Sequence, residues 1–168
     1  MQRENEKRES ALKNALAMIT ETNAAVSLQR EAETILACNE QTAAAGLTLT
    51  PAQAAALAQT RAESLRRTGR VEFALGRVER IIRAFCDSPY LSQEDYADAL
   101  SALIELFDAV KTETDDRISD EALIEEMRAA FDGVCHGSLE LLADEVLSRV
   151  VRRVNARGGM EWKMTEDV

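Results

Sequence analysis

The chain's single histidine lies beside one of its three cysteines, in the stretch DGVCHGS at residues 132–138. Such a pair could supply a nucleophile with its general base, because a neighbouring imidazole activates a thiol. On a helix, however, adjacent side chains point about 100° apart, so Cys135 and His136 would diverge. On a continuous helix, Cys135 lies on the same face as Phe131 and Leu139, which are one turn before and one turn after it. We therefore predict a buried Cys135 and a rim-exposed His136 that binds no metal, with the following Gly-Ser pair ending one helix and capping the next.

A metal site is the second chemistry that this stretch suggests. Asp132, His136 and Glu140 are spaced by four residues and could share one helix face as ligands. The usual helical signatures, HExxH and the ExxH of di-iron bundles, are both absent. A solvated polar face is the preferred interpretation. We accordingly predict no catalytic residue, no metal ligand and no cofactor.

Arginine is concentrated in residues 61–83, where seven arginines and three acids give a net charge of +4. Residues 87–132 carry fourteen acids and three bases, a net charge of −11. The preferred interpretation is internal pairing of basic and acidic helices, because surface charge runs are usually paired or solvated. The alternative is an anion- or partner-binding surface, with Arg66, Arg70, Arg77 and Arg80 as its candidates. A second basic patch ends the last helix, at Arg149, Arg152, Arg153 and Arg157.

The stretch FCDSPY brings an aromatic pair, a thiol and a carboxylate together at a corner between two predicted helices. Its candidate ligand- or partner-contacting residues are Phe85, Cys86, Asp87 and Tyr90. The preferred interpretation is a structured turn, in which Asp87 accepts backbone hydrogen bonds and Tyr90 packs beneath it. The alternative is a ligand site, since loops on rigid scaffolds are where sites usually lie.

A phosphate-binding loop is excluded by the spacing of the glycines. GRVEFALGRVE contains neither GxGxxG nor GxxxxGK[ST], and its repeat of seven residues corresponds to two helical turns. We interpret the stretch as part of a fourth helix, with Gly76 inside it at a close packing contact.

Apolar periodicity near 3.6 residues and clear capping signals predict a sequence of helices with no strand. The predicted apolar stripes are Leu12, Leu16 and Ile19 in the first helix; Ala55, Ala58, Ala62 and Leu65 in the helix after Pro51; Val71, Leu75, Val78, Ile82 and Phe85 in the fourth; Tyr96, Leu100, Leu103, Phe107 and Val110 in the fifth; and Leu142, Val146, Val150 and Val154 in the last. The strongest start signal is LTLTPAQ, where Thr50 caps, Pro51 occupies the first helical position and Gln53 completes a capping box. The predicted fold is an all-α single domain of six or seven antiparallel helices over residues 1–157. Residues 1–27 hold a peripheral first helix that loosens at residues 23–27, and Gly158-Gly159 begins a polar tail over residues 158–168.

Composition narrows the functional classes. A formal net charge of −10 disfavours binding to nucleic acid and to anionic membranes, and no apolar run is long enough to span a bilayer. An odd number of cysteines without a CxxC pair is typical of reduced thiols in the cytoplasm.

Four stretches, in order and spacing, resemble a family of small proteins from clostridial and related Firmicutes that is known only as a domain of unknown function: LACNEQTAAAGLTLT, TGRVEF, AFCDSPYLSQEDY and FDGVCHGSLELLA. The resemblance covers roughly residues 30 to 145. It implies a bacterial cytosolic setting and carries no activity, catalytic residue or cofactor.

From these observations we expect a non-enzymatic adaptor or regulatory module that acts through protein contacts and self-association. The alternative hypothesis is a protein or enzyme that binds a small anionic ligand, at the arginines of the fourth helix or at the FCDSPY corner.

Overall fold

A computed structural model of the chain describes residues 2–70 and 76–164, with side chains for residues 6–70 and 76–158. Within these ranges all regular structure is helical, which confirms the predicted all-α bundle. The helices are α1 (Gln2–Ala37), α2 (Asn39–Thr42), α3 (Pro51–Arg67), α4 (Arg77–Phe85), α5 (Tyr96–Glu113), α6 (Asp120–Asp132), α7 (Leu139–Leu141) and α8 (Ser148–Met164), with a 3₁₀ turn at Ala43–Ala45 and a π-helical segment at Leu142–Leu147.

Helix α5 is the centre of the core. It packs against α3 and α4, and α3 in turn packs against the C-terminal part of α1. The predicted apolar stripe of α5 is confirmed, because each of its members is buried: Tyr96, Leu100, Leu103, Phe107 and Val110. A continuous core therefore joins the helices from the end of α1 to the start of α8.

The predicted break within the first helix is wrong. Residues 2–37 form one helix, and residues 23–27 are helical throughout. This segment contains no glycine or proline, and mid-scale residues such as Asn cost only about 0.7 kcal/mol or less relative to Ala in a helix interior. Ala24 and Ala25 favour the helix, which offsets the weaker helix propensity of Asn23 and Ser27. No local signal is therefore strong enough to end the helix here.

The start of α3 is as predicted. The Thr50 side chain accepts from the Gln53 amide, and the Gln53 side chain accepts from the Thr50 amide. The buried face of this helix is shifted from the predicted one, however, because Ala55 is exposed while Ala54 and Leu57 are buried. The shift brings Arg61 onto the packed face, where its guanidinium lies 3.2 Å from a carboxylate oxygen of Glu31 on α1.

Gly76 does not lie inside a helix. It precedes α4 with φ of 102°, a left-handed conformation that favours glycine, and a Cβ built there would meet no atom within 4 Å. The residue is therefore explained by backbone conformation and not by the predicted packing contact. The predicted stripe positions Val71 and Leu75 lie outside the described residues.

The last helix does not end at Gly158-Gly159, because α8 continues to Met164. Gly158 lies against the loop between α5 and α6: a Cβ there would lie 2.0 Å from Nη1 of Arg117, so the end of that flexible side chain would have to move. The π-helical segment before α8 also changes the predicted apolar stripe. Leu142 and Val150 are buried as predicted, but the π turn places Leu147 in the core instead of Val146, which is only partly buried, as is Val154.

Candidate functional site

The arginines of the predicted fourth helix pair with acids of the neighbouring helix and loop. Arg77 Nε lies 2.6 Å from Oδ2 of Asp120, and Arg80 Nη1 lies 2.9 Å from Oε1 of Glu121. Both acids belong to the first turn of α6. The preferred interpretation of the charge pattern, internal pairing of basic and acidic helices, is thus confirmed at this interface.

Arg70 and Arg66 differ in their surroundings. Arg70 donates to Asp116 in the loop between α5 and α6, and its side chain is mostly buried. Arg66 is exposed on α3. The predicted group of four arginines is therefore divided, with three engaged in ion pairs. A ligand site formed by all four stays a prediction.

Lys111 lies at the centre of this ion-pair cluster and was missed by sequence reasoning. Lys111 is 3% exposed, and three oxygen atoms surround its ammonium group. Nζ lies 2.7 Å from the carbonyl oxygen of Ile118, 2.9 Å from Oδ1 of Asp120 and 3.2 Å from Oδ1 of Asp116. The sequence does contain a signal for its burial: Lys111 follows the buried Phe107 by four residues, so the two lie on the same face of the helix. Its role is to hold the loop between α5 and α6 against the bundle.

The FCDSPY corner packs directly against the DGVCHGS loop. Tyr90 makes edge contacts with Phe131 and His136, at centroid distances of 6.3 and 6.4 Å. A Cβ at Gly137 would lie 2.5 Å from Cβ of Tyr90, and Gly137 has φ of 79°, so only glycine fits this position. The two stretches therefore form one structural unit at this end of the bundle.

Arg128 of α6 holds the corner in place, and sequence reasoning did not identify it. Its guanidinium donates to the Ala84 carbonyl, lies 2.6 Å from carboxylate oxygens of both Asp87 and Asp132, and covers the ring of Phe85 at 5.9 Å. The hydrogen bond from Arg128 lowers the pKa of Asp87. The predicted structured turn thus exists, but its contacts differ from the predicted ones. A guanidinium from α6 engages the Asp87 carboxylate, and Tyr90 is 43% exposed and packs on Phe131 and His136, not beneath Asp87. Ser88 contributes by donating from Oγ to Oδ1 of Asp132, at 2.6 Å.

The Cys-His pair does not form a nucleophile with its base. Helix α6 ends at Asp132, before the predicted Gly-Ser stop, and Ser138 caps the next helix as predicted. Cys135 is 2% exposed, which confirms its predicted burial, and burial raises the pKa of its thiol. His136 is exposed, as predicted, and its Nδ1 lies 3.3 Å from the Tyr90 hydroxyl. A buried thiol with a raised pKa is a poor nucleophile.

The two remaining candidate residues of the corner, Phe85 and Cys86, make contacts within the protein. Phe85 is fully buried against Phe131, at a centroid distance of 5.5 Å. Cys86 is half-buried, and its thiol donates to the Arg83 carbonyl. Among the side chains that the structure describes, no group of three or more His, Cys, Asp or Glu could hold a metal ion.

Five of the eight large apolar side chains that are exposed among the described residues lie on α1. Every residue from 6 to 27 is exposed, and we call residues 6–27 the projecting segment. At 1.5 Å per residue this segment is about 33 Å long, and the helix packs on the bundle only after it. Its exposed large apolar side chains are Leu12, Leu16, Met18, Ile19 and Val26.

The fold and these surfaces define an all-α helical bundle whose charged clusters hold its own loops in place. The chain belongs to the DUF6323 family, described as a family of unknown function, and the match covers residues 34–160. No curated protein and no solved structure matches the chain. The match begins in the last turn of α1, so the projecting segment lies outside the matched residues. Among the described residues, no helix is long and apolar enough to cross a membrane.

Proposed function

We propose that the chain is a non-enzymatic helical module that acts through protein contacts, and that copies of the chain bind one another along the projecting segment. The observation that carries this proposal is a narrow apolar seam on an otherwise solvated helix. Leu12, Leu16 and Ile19 are 66%, 57% and 57% exposed, and Val26 is 46% exposed.

The spacing of the seam is that of a coiled coil. Leu12, Leu16, Ile19, Asn23 and Val26 follow one another at intervals of four, three, four and three residues. These intervals alternate d and a positions of a heptad, whereas a helix that packs on a globular surface has a broader apolar face. Asn23 then occupies an a position, where a single polar residue fixes the register at some expense of stability.

Charge favours a second copy as the partner. The projecting segment contains three acids and three bases, so its net charge is zero. The whole net charge of −10 lies on residues 28–168, because residues 1–5 add one acid and one base. Two copies therefore repel each other over most of their surfaces and approach most easily along this neutral helix.

The expected affinity is modest. The seam side chains are already partly covered by their own helix, so burial should contribute on the order of 1 kcal/mol each, or about 8 kcal/mol for the eight in two copies. Loss of translational and rotational freedom opposes this by about 4 kcal/mol or more. The net free energy of association is therefore about 4 kcal/mol at most, so self-association should be weak and should depend on protein concentration up to the millimolar range.

Sedimentation velocity of the full chain tests the proposal with two neighbouring substitutions. Ile19→Asp places a charge in the seam at a residue that is 57% exposed, whereas Met18→Asp places the same charge outside the seam at a residue that is 69% exposed. We expect the native chain and Met18→Asp to sediment above the 18.5 kDa monomer as concentration rises. Ile19→Asp should remain monomeric, with unchanged helicity by circular dichroism.

Three results would contradict the proposal. The native chain could remain a monomer at every concentration, or the two substitutions could have equal effects. A monomeric chain that bound anionic lipid vesicles through the same seam would indicate a membrane surface as the partner instead.

The proposed setting is the cytoplasm of a Firmicutes bacterium. It is supported by the resemblance of the four sequence stretches and by three cysteines that are all free. The acidic surface also supports a module that does not bind nucleic acid. A mobility-shift assay with duplex DNA at low salt should accordingly show no complex.

A further inference from the structure

A cleft of about 420 Å³ opens where the loop between α5 and α6 meets α8. Ile118, Ala122 and Val154 line it with apolar surface, and Arg117, Arg153 and Arg157 line it with guanidinium groups. Its volume lies in the range of small-molecule sites, and an apolar floor with a few convergent polar groups is typical of them.

The cleft is basic on a strongly acidic chain. Among the lining residues that the structure describes, three arginines are accompanied by one acid, Glu126, which accepts a hydrogen bond from Arg153. Two acids in the first turn of α6 are engaged elsewhere, since Asp120 pairs with Arg77 and Lys111, and Glu121 pairs with Arg80. Asp115 lies 3.9 Å from Arg117 and is 87% exposed. The described lining residues therefore carry a net charge of +2, while the chain carries −10.

Arg117 is held in position before any ligand binds. Its Nε donates to the Thr114 carbonyl at 2.9 Å, and its Nη2 donates to Oδ1 of Asn155 at 2.8 Å. Gly158 leaves room for Nη1, because a Cβ there would lie 2.0 Å away. A glycine inside a helix lowers its stability by about 1 kcal/mol relative to Ala. At residue 158 the absence of a Cβ leaves the Arg117 guanidinium in its observed place.

We propose that this cleft binds a small organic anion, with a phosphate or carboxylate head between the arginines and an apolar body on Ile118, Ala122 and Val154. Arginine forks suit both heads. The head also lies near the N-terminus of α6, where Ser119 caps a helix of thirteen residues whose dipole favours negative charge. The site is independent of the seam on α1 and does not rest on self-association.

Calorimetric titration of the full chain with phenyl phosphate and with benzoate tests the site. The two probes share an apolar ring and distinguish the phosphate head from the carboxylate head. We expect saturable binding of one molecule per chain by at least one of them, with a Kd in the millimolar range or tighter. Benzamide, the neutral counterpart of benzoate, and inorganic phosphate, which lacks the ring, should each bind about tenfold more weakly.

Three variants locate the binding. Arg157→Gln should weaken it about tenfold, as expected for loss of a charged hydrogen-bond donor. Gly158→Ala should also weaken it, because the new methyl displaces the Arg117 guanidinium, while the melting temperature stays equal or rises. Arg149→Gln is the control, since Arg149 is on the same helix, is 72% exposed and pairs with Glu145 outside the cleft.

The proposal is overturned if neither anion binds at millimolar concentration, or if benzamide binds as tightly as benzoate and inorganic phosphate as tightly as phenyl phosphate. It is also overturned if Arg157→Gln and Arg149→Gln have equal effects. A loss of binding in Gly158→Ala cannot be ascribed to misfolding, because this substitution retains every charge and favours the helix. Undiminished binding by a folded Gly158→Ala would contradict the role given to Arg117.

Discussion

The two parts of α1 have similar helix-forming sequences and opposite surroundings. In residues 28–37 the helix packs on α3, with Ile35 buried at 1% exposure and Glu31 paired with Arg61. In the projecting segment every side chain is exposed, including leucines and isoleucine. The contrast teaches that helix formation here is local, whereas burial depends on the helices that other parts of the chain provide. Matched substitutions on the two sides should therefore differ in their effects on stability.

The largest difference is expected between two leucines. Leu100→Ala removes a side chain with 0% exposure from the core and should lower the free energy of unfolding by about 3 to 5 kcal/mol. Leu16→Ala removes one that is 57% exposed and should change the monomer by roughly 0.5 kcal/mol or less. Urea unfolding at a concentration that keeps the chain monomeric measures both. Equal losses would mean that the projecting segment is packed in the monomer.

The second comparison concerns ion pairs. Asp120→Asn leaves the buried Lys111 with a weaker partner and Arg77 without its carboxylate, and should cost about 2 to 3 kcal/mol. Glu9→Gln breaks the pair with Lys13, whose side chains are 75% and 71% exposed, and should cost about 0.5 kcal/mol or less. Thermal unfolding at low and high salt distinguishes them. A cost for Asp120→Asn as small as that for Glu9→Gln would show that the cluster is solvated.

A smaller effect is expected for two threonines. Thr50→Ala removes the capping box of α3 and should lower stability by about 1 kcal/mol. Thr20→Ala removes only a hydroxyl that donates to the Leu16 carbonyl within the exposed helix, so it should be neutral or slightly stabilising. Urea unfolding of both variants checks the difference. A destabilising Thr20→Ala would indicate that the projecting segment is coupled to the bundle.

The last prediction concerns pH and tests the burial of Tyr96 on the packed side of the comparison. Burial raises the pKa of Tyr96 to about 12, from an ordinary value of 10.0. The folded state therefore retains this proton more tightly than the unfolded state does. Its contribution to stability is fully present below about pH 10 and is lost as the pH rises toward 12.

The ultraviolet absorbance of tyrosinate measures this ionisation. In Tyr90→Phe, Tyr96 is the remaining tyrosine of the chain's two, so the signal belongs to it alone. We expect ionisation to be delayed until the pH approaches 12, or until the chain unfolds. The loss of stability at high pH should be smaller in Tyr96→Phe than in the native chain. Ionisation near pH 10 in the folded protein would contradict the burial of the hydroxyl.

Much of the fold was predictable because its signals are local. Thr50, Pro51 and Gln53 are neighbours in sequence, and the cap they predict forms as expected. The stripe of α5 was predictable for the same reason, since its apolar residues recur at the helical period. Gly158 was misread because glycine has the same sequence signature as a helix end and as a close packing contact. The position of the π-helical segment was not predictable, because the apolar residues fit an uninterrupted α-helix equally well.

The sequence shows which segments are rich in charged residues, but it does not show which residues form ion pairs with one another. Sequence reasoning named Arg77, Arg80 and Asp87, but it did not identify Lys111 or Arg128, which complete their clusters. Arg77 and its partner Asp120 are far apart in sequence, and no local pattern specifies such a pair. The basic cleft illustrates the same limit: Arg153 and Arg157 were recognised as a patch, while Arg117 joins them only through the packing of α8 on the loop before α6.

The sequence alone shows that the chain is helical, where α3 and α7 begin and which apolar residues form the buried stripe of α5, because capping and periodicity act over a few residues. It also determined the seam of α1, since the spacing of Leu12, Leu16 and Ile19 is visible without coordinates. Only the tertiary structure decided that this seam lies in solvent and that the arginines of α4 pair with α6. The physical reason is that exposure and ion pairing depend on which distant helix occupies each neighbouring position.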